Sequence, residues 1–457
     1  MKPFSAQARQ YYRSILRVAW PLIISNSFWN VQLTVDRIFL GNFSTEALAA
    51  AIAVSGIFWA PMALLQQTSS YLMTFVAQYF GAKEHDMIGP ATWQALYVSV
   101  IGGLLFLMLI PLSPLIFTVV GHSAELRAME IEYFDALSYS ALPTAIVAAV
   151  SSFFSGLGRT RVILWINFIG MAANALFAYV LIFGNYGFPR LGLAGAGYAT
   201  SLAGLVTAVF ALGLLLRNKF EQEFRMISGW RPNLVLIKRF LYFGLPSGLQ
   251  WALEGLAFSV FLIIVGRMHG GEAALAGSGI VVTVMMLSVL PAMGVAQAVA
   301  IQVGQLLGEG KGNEAKDITW GGIHLALAYM MSIGLSFVVV PEFYLAWFHN
   351  PSNLALWNEV AKIVPILLLF VAVFTSFDSL NLVCSFTLKG AGDTRFVSAV
   401  ALALPWPLMV FPTWIVRDWD GALYWAWGTA SLYAMVQAVI FMRRFQSGKW
   451  LTMSVIH

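Results

Sequence analysis

The sequence predicts an all-α polytopic membrane protein, with twelve transmembrane helices in two six-helix lobes. Three observations predict it. Hydrophobic residues make up 59% of the 457 and charged residues 10%, against ~25% charged in a typical soluble domain. Twelve apolar segments each reach the ~20 residues that a 30 Å hydrocarbon core requires. Short motifs also recur at a fixed offset, which marks a duplicated unit. The apolar runs are continuous and not alternating, so a β-barrel is disfavoured.

Taken in order, the segments are 14–40, 47–77, 91–119, 132–155, 162–184, 193–216, 240–266, 274–302, 319–341, 361–387, 397–416 and 422–442. Several exceed a straight span, which implies tilt or extension beyond the bilayer. The residues before the first segment read as a short basic arm and not a signal peptide, because no small-residue cleavage site follows the apolar run. Cys384, the single cysteine, lies inside the tenth segment and can form no intrachain disulfide.

The net charge of +5 resides in the connections. With the first residues on the cytoplasmic side, 20 of the 26 Lys and Arg fall on inner segments, among them Lys2, the six from Arg217 to Arg239, and Lys389 with Arg395. The positive-inside rule then places both termini in the cytoplasm. Topology explains these basic patches without a nucleic-acid partner.

The repeat is legible in three places. VAQYFGAKEHD (76–86) follows the second segment and VGQLLGEGKGNEAKD (303–317) the eighth. GLGRTR (156–161) follows the fourth and GAGDTR (390–395) the tenth, while WPL (20–22) and LPS (245–247) open the first and seventh. Six crossings return the chain to the same side, so these are parallel repeats, related by a pseudo-two-fold axis along the membrane normal. The expected division is an N-lobe at 1–216, a polar cytoplasmic linker at 217–239 and a C-lobe at 240–457. Such duplicated bundles serve transport by alternating access, or are retained for packing alone.

Three carboxylates interrupt the apolar segments: Asp36, Glu254 and Asp378. Each costs at least ~2.5–3.5 kcal/mol near the bilayer centre, so each implies a use. Asp36 shares a helical face with Gln32, four residues earlier. It either pairs with Arg37 near the surface or faces inward, and adjacent helical side chains diverge. Glu254 follows Gln250 by four residues and lies near the midplane, as a cation or proton site or as a neutral hydrogen-bonding group. Asp378 heads a polar stripe with Asn381 and Ser385. Its oxygens suit a hard cation, or else join helices. Asn174 in the fifth segment, with Thr200 and Ser201 in the sixth, can support such a site. Gln66, Gln67 and Gln297 are lesser cavity candidates, and Phe28, Trp29, Trp59, Phe153 and Trp251 can hold flat cations if they face a cavity. His324 reads as structural.

No enzyme signature is present. The Gly-rich run at 310–313 lacks the spacing of a phosphate loop, and neither a metalloprotease nor a nucleophile-elbow motif occurs. Uphill transport by this chain therefore requires an ion gradient.

VDRIFLG (35–41), VAQYFGAK (76–83), GLGRTR, Glu254 and DSLNLVCSFTLKGAGDTR (378–395) together resemble the multidrug and toxic compound extrusion (MATE) transporters, in particular their NorM branch. The resemblance covers roughly residues 12–443. It implies twelve helices in two lobes and export of cationic amphipathic drugs or dyes in exchange for Na⁺ or H⁺. It further implies a monomer in the bacterial inner membrane with no cofactor beyond the coupling ion. By the same resemblance Glu254 and Asp378 are C-lobe cation-binding acids, with Na⁺ as a candidate ligand, and Asp36, Asn174 and Thr200 form an N-lobe polar cluster. Where the family carries a second polar residue one turn after Asn174, this chain has Ala178, which moves the expected ion site towards the C-lobe. A lipid-linked glycan flippase of the wider superfamily is the alternative, disfavoured because the buried charges are acidic.

Overall fold

A computed structural model describes residues 6–348 and 354–456. Lys2, counted among the inner charges, lies outside the described residues. Among the described residues, eleven helical spans are long and apolar enough to cross a membrane: α2 Thr45–Gly81, α3 His85–Val120, α4 Ala124–Gly156, α5 Thr160–Phe183, α6 Gly192–Leu215, α7 Leu234–Gly266, α8 Gly271–Gly308, α9 Gly312–Val339, α10 Leu354–Ala391, α11 Thr394–Val416 and α12 Ala422–Gln446. The twelfth long helix is α1, Ala6–Phe43. Its 38 residues exceed a bilayer crossing, but Ser25, Asn26, Ser27, Asn30 and Gln32 dilute its apolar character. Prolines lie inside α1, α2, α7, α8 and α10, where each removes one helical hydrogen bond.

Most helices run beyond their apolar segments. α4 starts at Ala124 and not at 132, which brings Glu125, Arg127 and Glu130 into the helix. Ser123 caps it by accepting from the Leu126 N–H, as hydroxyls do at helix starts.

The chain divides into two compact units. The amino-terminal unit comprises Ile24–Ala252 and Gly304–Gly310 with the chain from Ser454 onward; the carboxy-terminal unit comprises the chain up to Ile23, Leu253–Val303 and Lys311–Met453. Each has its own apolar core. Leu40, Val54, Phe117, Phe134, Leu181 and Leu193 build part of one, and Phe261, Val281, Phe337, Leu367 and Trp427 part of the other. Large apolar side chains also stay exposed on each, among them Leu115, Val119, Trp165 and Val209, and Ile263, Leu335 and Val373. Apolar exposure on this scale is what a lipid-facing surface requires.

Close backbone approach sets the helix spacing. A Cβ on Gly195 of α6 would stand 2.6 Å from the Leu181 carbonyl oxygen of α5. The missing side chain therefore lets α5 and α6 meet, as small residues do in membrane bundles. Gly195→Leu is expected to cost about 1–3 kcal/mol through overpacking and to lower the Tm of the purified protein; an unchanged Tm would show that this contact yields without strain.

The repeated turns share one conformation. Gly158 in GLGRTR and Gly392 in GAGDTR have φ of 71° and 106°, a region that glycine alone enters at no steric cost. The residue after each glycine carries opposite charge. Arg159 pairs with Glu223 at 3.2 Å, and Asp393 with Arg444 at 2.7 Å. The duplication thus kept the turn and the ion pair but inverted its polarity.

Within 217–239, α7 already begins at Leu234. A short helix, Asn218–Phe224, inserts Phe220 and Phe224 against Phe153 and Phe154. Phe153 is fully buried there, so it is a packing residue of the linker and not a cavity aromatic. Trp93 donates to the Met226 carbonyl and Tyr97 to that of Trp230. Glu221 accepts from the Ile227 and Ser228 N–H groups. The Ser228 side chain, and then these amides, hold its carboxyl below the ordinary glutamate range. A depressed folded-state value means that this clasp persists at neutral pH and is lost only as pH falls below that range.

Candidate functional site

Each unit holds one cluster built around the predicted acids. In the amino-terminal unit Asp36 of α1, Asn174 of α5, Thr200 of α6 and Tyr133 of α4 occupy one level. Asp36 lies seven residues before Phe43, Asn174 nine before Phe183, Thr200 eight after Gly192 and Tyr133 nine after Ala124. At 1.5 Å per residue all four sit roughly 10–14 Å from the same end of the unit. The Asn174 amide donates to Thr200 Oγ1 at 3.1 Å and also hydrogen-bonds the Asp36 carboxylate. Tyr133 is close enough to Asp36 and Arg37 for both charges to act on its hydroxyl.

Asp36 faces inward. Its Oδ1 is buried without a hydrogen-bond partner among the described residues, whereas Arg37 is exposed. Asn174 Oδ1 is buried and unpartnered as well. Two orphaned acceptor oxygens in one cluster are costly, each by about 1–3 kcal/mol or more for a charged group. A proton or a cation arriving there removes that cost. Gln32, one turn before Asp36, is half-buried. Ser201, by contrast, donates to the Ala136 carbonyl and fastens α6 to α4. Ala178 is fully buried in the apolar core beside the cluster.

The carboxy-terminal unit gathers Glu254 of α7, Asp378 and Asn381 of α10, and Tyr433 and Gln437 of α12. Gln437 Nε2 donates to Glu254 Oε1 at 3.2 Å. The Tyr433 side chain hydrogen-bonds Glu254 and Gln437 and feels the charge of Asp378 as well as that of Glu254. Asn381 donates to the Ala434 carbonyl at 3.1 Å and hydrogen-bonds Asp378, while its Oδ1 is buried and unpartnered. Carboxylate, amide and phenol oxygens thus converge between α7, α10 and α12, the donor set that a hard monovalent cation prefers. Ser385 bonds its own helix backbone at Leu382. Gln250, one turn before Glu254 on α7, is buried and belongs to the amino-terminal unit.

Lys389 corrects the charge map. It is not a loop charge but a buried residue in the last turn of α10. Its ammonium lies 4.6 Å from the Phe386 ring centroid and within the field of Glu254. Its position next to the GAGDTR turn hid this in the sequence. Tyr433 and Gln437, spaced i and i+4 in the twelfth apolar segment, are the signal of this cluster that the sequence displays. His324 Nδ1 meets the Tyr12 hydroxyl at 3.0 Å. Among the described residues no group of three or more His, Cys, Asp or Glu is arranged to hold a metal ion.

The MatE family profile matches residues 21–180 and 246–415, one copy in each half of the repeat. The chain belongs to the MatE family. It is therefore an integral membrane transporter and not an enzyme. The multidrug resistance protein NorM of Burkholderia vietnamiensis is 29% identical over 439 residues, 94% of this chain and 92% of that protein. A crystal structure of a MATE transporter in complex with MaL6 is 20% identical, with a TM-score of 0.86 over 96% of this chain and 97% of that one. The outward-facing structure of a multidrug resistance MATE transporter of the MOP superfamily also gives 0.86 at 20% identity, covering 98% and 100%. These likenesses establish the twelve-helix MATE fold.

Proposed function

We propose that this MatE protein is a NorM-like multidrug exporter that expels cationic amphipathic compounds in exchange for Na⁺ or H⁺ by alternating access. The observation that carries the reading is the pair of polar clusters, one in each unit, built on Asp36 and on Glu254 with Asp378. Asp36 takes a proton, and Glu254 with Asp378, backed by Tyr433 and Asn381, takes Na⁺ as cargo. Gln32, Asn174, Thr200 and Gln250 support the acids on which they border. A coupling ion drives the cycle only through unequal affinity for the two states, and a buried carboxylate that exchanges solvent for protein supplies that inequality.

On this reading the bodies that move are the lobes at 1–216 and 240–457, joined by the linker. The chain works as a monomer in the bacterial inner membrane with both termini cytoplasmic and needs no cofactor. A flippase for lipid-linked glycans fits less well, since Lys389, the one buried cation among the described residues, already stands in the field of Glu254. Expression in a drug-sensitive bacterial host is expected to raise tolerance to several unrelated cationic dyes and antibiotics. Unchanged tolerance, with purified protein translocating a lipid-linked sugar, would replace this reading with the flippase.

A further inference from the structure

The amino-terminal unit holds a second buried acid. Glu130 of α4 is fully buried. Its Oε1 lies 2.6 Å from Nδ1 of His122, while its Oε2 is buried with no partner among the described residues. His122 is 38% exposed at the turn between α3 and α4, so the pair joins the surface of this end of the unit to its interior. One turn further along α4, on the same face, stands Tyr133, on whose hydroxyl Asp36 acts. Glu130 lies six residues inside the α4 start, roughly 9 Å deep, and Asp36 roughly 10 Å from the same end.

We propose that His122, Glu130 and Tyr133 form a proton-access relay connecting the surface at the α3–α4 turn to Asp36. The inference rests on proton coupling at Asp36. By the charge distribution of the loops this end faces outward, towards the side from which coupling protons enter. Each passage moves one proton from water to Asp36 and leaves His122 protonated on Nε2; exchange with water, in which Nε2 gives up its proton and Nδ1 takes one, restores the starting tautomer. His122 Nε2 accepts a proton from water as Nδ1–H passes one to Glu130 Oε1. The carboxyl group then reorients and donates to Tyr133 Oη, which releases its own proton to Asp36 Oδ1. The unpartnered Glu130 Oε2 is what such a turn of the carboxyl needs: an acceptor position not committed to any fixed bond. A purely structural histidine–glutamate pair would satisfy both oxygens, because an unmet buried charge is expensive.

On α4 itself Glu125, Arg127 and Glu132 flank Glu130 and Tyr133 in the chain. Arg37 joins Asp36 on α1, and Glu46 at the start of α2 is engaged by Ser44. Asp135 on α4 accepts from Ser113 of α3 at 2.7 Å. From α6 the titratable neighbour is Tyr198, stacked on Tyr139.

The test uses the full-length protein in proteoliposomes, following export of a fluorescent organic cation driven by an imposed pH gradient, across a range of pH on the proton-supplying side. Glu130→Gln is expected to slow this transport by about 100-fold, the low end of what a positioned acid or base contributes, with equilibrium substrate binding unchanged. His122→Gln, a substitution at a half-exposed site that leaves the core intact, is expected to flatten the pH profile, and Tyr133→Phe to slow transport without altering binding. If Glu130→Gln lowers only Tm, and His122→Gln keeps the wild-type rate and profile, the pair is structural and the relay is wrong. If the wild type itself shows no response to the pH gradient, proton coupling at Asp36 falls first and the relay with it.

Discussion

Asp36→Asn is expected to abolish gradient-driven efflux while leaving folding intact. Asn keeps the shape of the side chain and its hydrogen bond with Asn174, but it cannot exchange a proton. It also removes a buried charge whose Oδ1 has no partner among the described residues, so stability should be unchanged or slightly raised. The expected loss is about 100-fold or more in initial efflux rate, as for removal of a group that transfers a proton. Initial rates in proteoliposomes, with Tm measured on the same preparations, check it. Efflux at the wild-type rate would show that Asp36 is structural or redundant.

Neutralising the carboxy-terminal acids, by Glu254→Gln or Asp378→Asn, is expected to remove cation-induced release of bound substrate. Both carboxylates act on the Tyr433 hydroxyl, and like charges brought into one apolar site do not both stay ionised without a cation or proton between them. They should therefore respond as a coupled pair and not as separate sites. Glu254→Gln also removes a negative charge that acts on Lys389, so this variant is expected to lose more stability than Asp378→Asn. Release of a labelled substrate from purified protein on addition of Na⁺, or on a drop in pH, distinguishes the outcomes. Wild-type cation dependence in both variants would move coupling to the cluster around Asp36 and Asn174.

Much of this architecture was legible in the residues. Twelve apolar runs and a duplicated set of motifs specified the helices, because in a bilayer each backbone polar group must be satisfied within its own helix. The ends were less legible. Helices outlast the apolar stretch wherever polar residues leave the hydrocarbon but keep helical bonds, as at Ala124–Glu132. That extension concealed Glu130, whose sequence context of Arg127, Glu125 and Glu132 reads as a solvated loop. Lys389 was hidden for the same reason: one position before a glycine turn, a charge buried by tertiary packing looks like a loop charge. The N-side cluster was readable because polar residues in apolar segments stand out singly. Its closure depended on helix contacts, such as that of Gly195 with Leu181, that no local pattern encodes. Phe153 shows the converse, an aromatic whose burial by the linker follows only from the folded position of Phe220 and Phe224.

The most direct test of ion-coupled export through these acids is efflux of a fluorescent lipophilic cation from proteoliposomes under an imposed Na⁺ gradient and, separately, an imposed pH gradient. Wild-type protein is expected to concentrate the compound against its own gradient under at least one of the two. Asp36→Asn and Glu254→Gln should each lose that accumulation while still binding substrate. Equal efflux with and without either gradient, or full accumulation by both variants, would contradict the account.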